Sequence, residues 1–229
     1  MSFAFFDLDD TLVDTDSALR AWSLDFVREN GLGEDAAAAD VVRRRVHTVT
    51  TWREFAEQAR AWYGIATEPQ QLLAKIAVDY PAKFTLDPAV TAGLGRLRAD
   101  GWRLGIITNG TTVVQQAKVD RVGLRAHVDV VIDSEAAGHH KPDVRIFELA
   151  AGRLGVGLGP AGWMVGDMLD KDVEGGLAAG LHTVWLPHGR PLPADGPQPE
   201  HVVGTIADAL ALIAASAGTA GAAGTAGGA

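Results

Sequence analysis

The stretch Phe3-Ala4-Phe5-Phe6-Asp7-Leu8-Asp9-Asp10-Thr11-Leu12 decides the fold. A short apolar run bounded by polar residues suits a strand buried on both faces of a parallel sheet. Such a strand delivers Asp7 and Asp9 to its C-terminal end, the end at which open α/β sheets bind ligands. Clustered carboxylates repel one another unless a cation or a proton sits between them. The arrangement therefore asks for a divalent metal, an acid–base role, or both.

Working outward, residues 14 to about 85 read as helices. Leu19, Trp22, Phe26 and Val27 recur at helical spacing, followed by Val41, Val42 and Val46, then Trp52, Phe55, Ala59 and Trp62. No alternating stretch interrupts them, and a block of this length is far longer than an ordinary connection. It reads as a cap inserted over the active end of the sheet. Beyond Pro88 the pattern changes. Helices over Ala89–Ala99, Thr112–Val122, Val144–Leu154 and Val173–Ala179 precede the apolar runs Leu104–Ile107, Val128–Ile132, Trp163–Val165 and Thr183–Leu186. Alternation of this kind predicts right-handed crossovers and a parallel sheet. Residues 187–199 are Pro-rich loop, Ile206–Ile213 a final helix, and the Ala/Gly/Thr/Ser stretch 216–229 a disordered tail.

Composition narrows the function classes. The 229 residues, 47% hydrophobic and 21% charged, suffice for a substantial core with one insertion. A net charge of −9 opposes a nucleic-acid backbone, and no basic footprint offsets it. The absence of cysteine excludes disulfides and thiolate metal sites, and fits a cytoplasmic protein. No signal peptide opens the chain, and no apolar run approaches the roughly 20 residues that span a bilayer, so no membrane partner is expected.

Four polar clusters fall at or near the strand ends. They are Asp7 with Asp9; Thr108-Asn109-Gly110; Lys141-Pro142, preceded by His139 and His140; and Gly166-Asp167, with Asp172 following. Lysine is scarce, and after Lys83 only Lys118, Lys141 and Lys171 remain, which singles out Lys141. Carboxylates from two strand ends can hold Mg²⁺, a hard cation that takes oxygen ligands. A hydroxyl, backbone N–H groups and an ammonium suit phosphoryl oxygens.

With its motifs in this order, the chain resembles the haloacid dehalogenase superfamily of phosphohydrolases over all but its tail. Asp7 to Thr15 is similar to the family's first motif, Thr108-Asn109-Gly110 to the second, Lys141-Pro142 to the third, and Gly166-Asp167 with Asp172 to the fourth. Gln115 and Lys118 before Gly123-Leu124, and Ser134-Glu135 before the lysine, also look like the family. The resemblance implies an α/β fold: a five-stranded, doubly wound, Rossmann-like core (1–13 and 86–215) with a helical cap (14–85). It also implies an Mg²⁺-dependent phosphatase acting on a small phosphorylated metabolite, a phosphate monoester such as a sugar or nucleoside monophosphate. The text around Thr108–Leu124 and Gly166–Leu186 is similar to acylneuraminate-9-phosphatase-like and nucleotidase-like members. Monomer and homodimer are both compatible.

By the same resemblance, Asp7 is the nucleophile and Asp9 the general acid, then base. Thr108 and Lys141 bind phosphoryl oxygens, with Asn109 and Gly110 supplying backbone donors or shape. The ion is held by Asp7, the Asp9 carbonyl and Asp167, with Asp172 farther out or bridging through water. Three rivals remain. A sugar phosphomutase shares the core motifs. A dehalogenase needs no acid at Asp9. A non-catalytic metabolite-binding module would lack a catalytic carboxylate, and none is missing. Arg43, Arg44, Arg45, His47, Trp52 and Arg53 are the cap residues considered for leaving-group contact. A solvated face for the arginines and core burial for Trp22, Trp52 and Trp62 are the plainer readings. His139 and His140 read as loop residues.

Overall fold

The computed structural model describes residues 1–222, which form two compact units. One consists of Met1–Val13 together with the chain from Leu86 onward; the other is Asp14–Thr85.

The first unit is built on a parallel six-stranded sheet. Its strands are β1 (Phe3–Phe6), β2 (Arg103–Thr108), β3 (Val130–Asp133), β4 (Gly162–Gly166), β5 (His182–Trp185) and β6 (His201–Val202), in the order β3-β2-β1-β4-β5-β6. This is the doubly wound, Rossmann-like α/β core expected from the sequence, with one correction: six strands in place of five. The sixth pairs Val184 with His201 and Trp185 with Val202. Two residues are too few to carry a period-two pattern, so β6 exists only through its pairing with β5.

All four residues of β1 are fully buried. They pair on one side with β2, Phe6 opposite Ile106, and on the other with β4, Phe6 opposite Val165. Each buried Phe side chain stabilises the fold by roughly 2–3 kcal/mol relative to exposure. The strand order reverses at β1, because the chain goes on to β2 and β3 on one side and returns to β4 on the other. The crevice at the C-terminal ends of β1, β2 and β4 is therefore the topological switch point, where such sheets bind ligands.

The second unit contains α1 (Thr15–Glu29), α2 (Asp35–His47), α3 (Trp52–Tyr63) and α4 (Pro69–Asp79). Asp14 caps α1 by accepting from the Ser17 N–H, and Thr51 with Glu54 forms a capping box on α3. The core of this unit is aromatic: the Trp22 ring lies 4.9 Å from that of Trp52, 5.2 Å from Phe26 and 5.8 Å from Phe55. Trp22 and Trp52 are buried, whereas Trp62 is half-buried beneath the Arg44 guanidinium, 4.8 Å from its ring. Arg43 and Arg44 both pair with Asp40, and Arg45 stacks on Trp52. His47 and Arg53 are exposed.

The helices of the first unit are α5 (Pro88–Ala99), α6 (Thr112–Arg121), α7 (Ser134–Ala137), α8 (Val144–Leu154), α9 (Glu174–Ala178) and α10 (Ile206–Ala222). Ile146, Phe147, Ala150 and Leu154 of α8 join Phe3, Phe5, Ile107 and Met164 in one buried cluster. The final helix runs past Ile213 into the stretch expected to be disordered. Alanine has the highest helix propensity, and an Ala-rich run extends a helix already docked at Ala209, Leu210 and Ile213. The rest of the expected tail, 223–229, lies outside the described residues.

Candidate active site

Asp7 follows β1 directly, and its N–H continues the sheet by donating to the Val165 carbonyl at 2.8 Å. Asp167 follows β4. The chain then makes a π-helical turn over Leu169–Val173, which brings Asp172 back toward the strand ends. Gly166 makes that return possible: a Cβ there would lie 2.2 Å from the Asp172 Cγ. Asp172 is fastened at one oxygen by the Met168 N–H at 3.0 Å.

The result is a compact acidic centre. Asp7, Asp167 and Asp172 are all buried and offer oxygens within 4.8 Å of one another. Lys141 Nζ donates at 2.6 Å to Asp7 Oδ1 and at 2.6 Å to Asp172 Oδ1. Burial alone would discharge this lysine, but the two carboxylates outweigh it and hold its pKa above the ordinary lysine value. Asp7 is pushed up to about 8, chiefly by burial, with Lys141 opposing and the Asp172 and Asp9 charges adding. Asp167 is raised to about 6 by burial and by Asp172, against the opposing Arg190. Once ionised, the three converging carboxylates outnumber the cations beside them, Lys141 and the Arg190 guanidinium at Asp167, by one. An all-oxygen donor set of this kind fits a hard divalent cation such as Mg²⁺.

Thr108 ends β2 and is buried. Asn109 forms two reciprocal bonds with the Lys141 backbone, donating to its carbonyl at 3.0 Å and accepting from its N–H at 2.9 Å. The asparagine side chain thus pins the lysine loop to the end of β2. The Gly110 N–H donates to Ser134 Oγ at 3.0 Å, so what Gly110 leaves the site is space. Asp9 stands apart from the acidic triad. It accepts from Lys118 Nζ at 2.6 Å and from Gln115 Nε2 at 2.8 Å. Asp7, Asp9, Asp10, Thr108, Asn109, Lys141, Asp167 and Asp172 line a cavity of about 170 Å³ together with Met168 and Lys171. His139 and His140 do not line it; His139 lies 3.8 Å from Asp143.

Sequence reasoning missed Arg190. Its Nη2 donates to Asp167 Oδ2 at 2.9 Å and to the Asp167 carbonyl at 2.5 Å. It also missed His188, whose Nε2 donates to the Asp10 carbonyl at 2.5 Å, and Trp185, whose Nε1 donates to the Asp167 carbonyl at 2.8 Å. Arg190 and His188 lie in the Pro-rich stretch, where no periodicity exists to assign a face. Gln115 and Lys118 were visible as family-like text, and lysine scarcity was a usable signal for Lys118, but neither carried a role.

Comparison with known proteins places the chain in a family. The family model for haloacid dehalogenase-like hydrolases matches residues 1–180. The glyceraldehyde 3-phosphate phosphatase of Methanopyrus kandleri is 33% identical over 196 residues, covering 81% of this chain and 83% of its own. The human N-acylneuraminate-9-phosphatase is 28% identical over 233 residues, covering 91% and 92%. Among solved structures, a HAD phosphatase from Thermococcus onnurineus superimposes with a TM-score of 0.66 at 25% identity, over 93% of this chain and 98% of that one. With the motif residues gathered at the switch point and the family model spanning most of its length, the chain belongs to the haloacid dehalogenase-like hydrolases.

Proposed function

We propose that this protein is an Mg²⁺-dependent phosphatase that hydrolyses a small phosphate monoester through a phosphorylated Asp7. The observation that carries the reading is the convergence of Asp7, Asp167 and Asp172 around Lys141 at the sheet's switch point. The phosphatase names of its relatives support the reaction class. No helix among the described residues is long and apolar enough to cross a membrane.

Asp7, Asp167 and the Asp9 carbonyl are the residues that would hold the ion, with Asp172, whose two oxygens already accept from Lys141 and the Met168 N–H, farther out or bridging through water. Bound there, Mg²⁺ would neutralise charge on the phosphoryl oxygens and lower the proton affinity of Asp7. Asp7 attacks phosphorus with one carboxylate oxygen, and the bond from phosphorus to the ester oxygen breaks. The charge of the bound phosphate beside Asp9 favours its protonated form, and Asp9 gives that proton to the departing oxygen. It then takes a proton from the water that attacks phosphorus and frees Asp7, releasing inorganic phosphate. Lys141 fixes the Asp7 rotamer through their 2.6 Å contact, and it supplies positive charge beside the transferring group. Thr108 offers a hydroxyl to a phosphoryl oxygen. The helical unit Asp14–Thr85 is assigned the part of a cap that excludes water and meets the leaving group.

The cavity, about 170 Å³ and open to solvent, has room for a phosphoryl group beside Asp7 and Lys141. The presence of Asp9 favours phosphate chemistry over dehalogenation. The test is a phosphate-release panel of sugar, nucleoside and three-carbon monophosphates with added Mg²⁺, using Asp7→Asn as the blank. Release that depends on both the ion and Asp7 is the expected result. Transfer of phosphate to a second substrate hydroxyl without release would identify a mutase instead.

A further inference from the structure

One turn apart on α6, Gln115 and Lys118 are 2% and 4% exposed, although both are strongly polar. Together they engage both oxygens of Asp9: Lys118 Nζ at Oδ1, 2.6 Å, and Gln115 Nε2 at Oδ2, 2.8 Å. The same Gln115 nitrogen also donates to Thr108 Oγ1. The amide nitrogen faces Asp9 because Asp9 Oδ2 and Thr108 Oγ1 are the two acceptors it meets, while Lys118 holds the other Asp9 oxygen. An amide nitrogen has two hydrogens, one for each of these acceptors. Gly110 leaves room for the crossing: a Cβ there would lie 2.8 Å from both Cγ and Cδ of Gln115.

A consequence follows for Thr108. Its oxygen accepts from Gln115, so its own hydroxyl proton must point to a different acceptor, and the residue lines the cavity shared by Asp7 and Lys141. We propose that Gln115 and Lys118 are positioning residues for the reaction. Lys118 fixes the Asp9 carboxylate for proton transfer to the leaving group, and Gln115 sets Thr108 as a hydrogen-bond donor toward the phosphoryl group. The inference rests on the phosphatase reading and deepens it. The bland alternative is that the pair merely fastens α6 to the loop after β1.

The two roles separate by leaving group. p-Nitrophenolate departs without needing a proton, whereas an alkoxide needs one. The experiment measures kcat/KM, which covers only the steps through leaving-group departure, and thermal stability beside it. The substrates are p-nitrophenyl phosphate and the alkyl monophosphate that the wild-type protein turns over fastest. Lys118→Met is expected to lose about tenfold or more on the alkyl ester and less than about twofold on the aryl ester, with Lys118→Arg recovering most of the loss. Gln115→Leu and the near-isosteric Gln115→Glu are expected to lose on both esters. They should also weaken competitive inhibition by inorganic phosphate several-fold, whereas Lys118→Met should not. Equal losses on both esters in Lys118→Met, or losses that only follow the melting temperature, would assign the pair to structure and overturn the proposal. Unchanged kinetics in every variant would do the same. A wild-type protein with no Asp7-dependent phosphate release would remove the phosphatase reading itself, and this inference with it.

Discussion

Arg190 Nη2 lies 2.9 Å from Asp167 Oδ2, so one oxygen of a carboxylate at the centre of the acidic cluster is already committed to a guanidinium. The same nitrogen donates to the Asp167 and Leu186 carbonyls, which ties the loop after β5 to the end of β4. An arginine so placed both orients the carboxylate and repels a cation bound to it.

Removing that charge should therefore tighten divalent-metal binding. The Arg190 side chain is 45% exposed, and solvent screening reduces the effect to roughly 1 kcal/mol. Arg190→Ala should lower the Mn²⁺ dissociation constant about three- to tenfold, read by calorimetry or paramagnetic titration of the purified protein. Weaker binding would mean that orientation of Asp167 outweighs the removed repulsion.

The metal-free protein should lose stability as pH rises. Asp167 is raised to about 6 and Asp7 to about 8 by folding, so between pH ~4 and those values the folded state binds more protons than the unfolded chain. The contribution is fully present below pH ~4 and is lost as pH climbs through the two folded values. Asp25, Asp40, Asp133 and Asp143, whose pKa values are lowered, act with the opposite sign and only near or below their ordinary range. Thermal melts in a chelator should show the melting temperature falling from about pH 5 to about pH 8, and added Mg²⁺ should raise it more at the upper end. A pH-independent Mg²⁺ effect would mean that the ion does not displace protons from these acids.

Gly166→Ala should damage the site more than the fold. The added methyl would sit 2.2 Å from the Asp172 Cγ, and that carboxylate is held by both Lys141 and the Met168 N–H. Overpacking of this kind costs about 1–3 kcal/mol. The displaced Asp172 would release Lys141 from one partner, so metal affinity and turnover should drop by at least tenfold while circular dichroism stays that of a folded protein. Native turnover in Gly166→Ala would show that Asp172 is dispensable.

Lys141→Met is expected to be costly without metal and partly rescued by it. The side chain is 2% exposed and bridges two buried carboxylates, and breaking a buried pair typically costs about 3–5 kcal/mol. Divalent cation should restore part of the melting temperature but none of the turnover, because the ion can offset the charge of Asp7 without fixing its rotamer. Recovery of turnover with Mg²⁺ alone would remove Lys141 from the mechanism.

The core fold was legible because its signals are local. The run Phe3–Phe6 is uniformly apolar and became the fully buried central strand, and the helix expected at Val144–Leu154 is α8 over the same residues. Strand-end chemistry was equally readable, since Asp7, Thr108 and Asp167 sit where apolar runs stop, and topology brings such ends together. Tertiary structure alone decided how the polar groups are shared out. Whether Asp9 faces the acidic triad or the Lys118 ammonium depends on the rotation of α6 against β1, set by packing between residues more than a hundred positions apart. Arg190 reaches Asp167 from a loop without period, and β6 exists only because β5 offers an open edge. Periodicity reports which face of an element is buried; it carries no record of which charge waits on the other side of the contact.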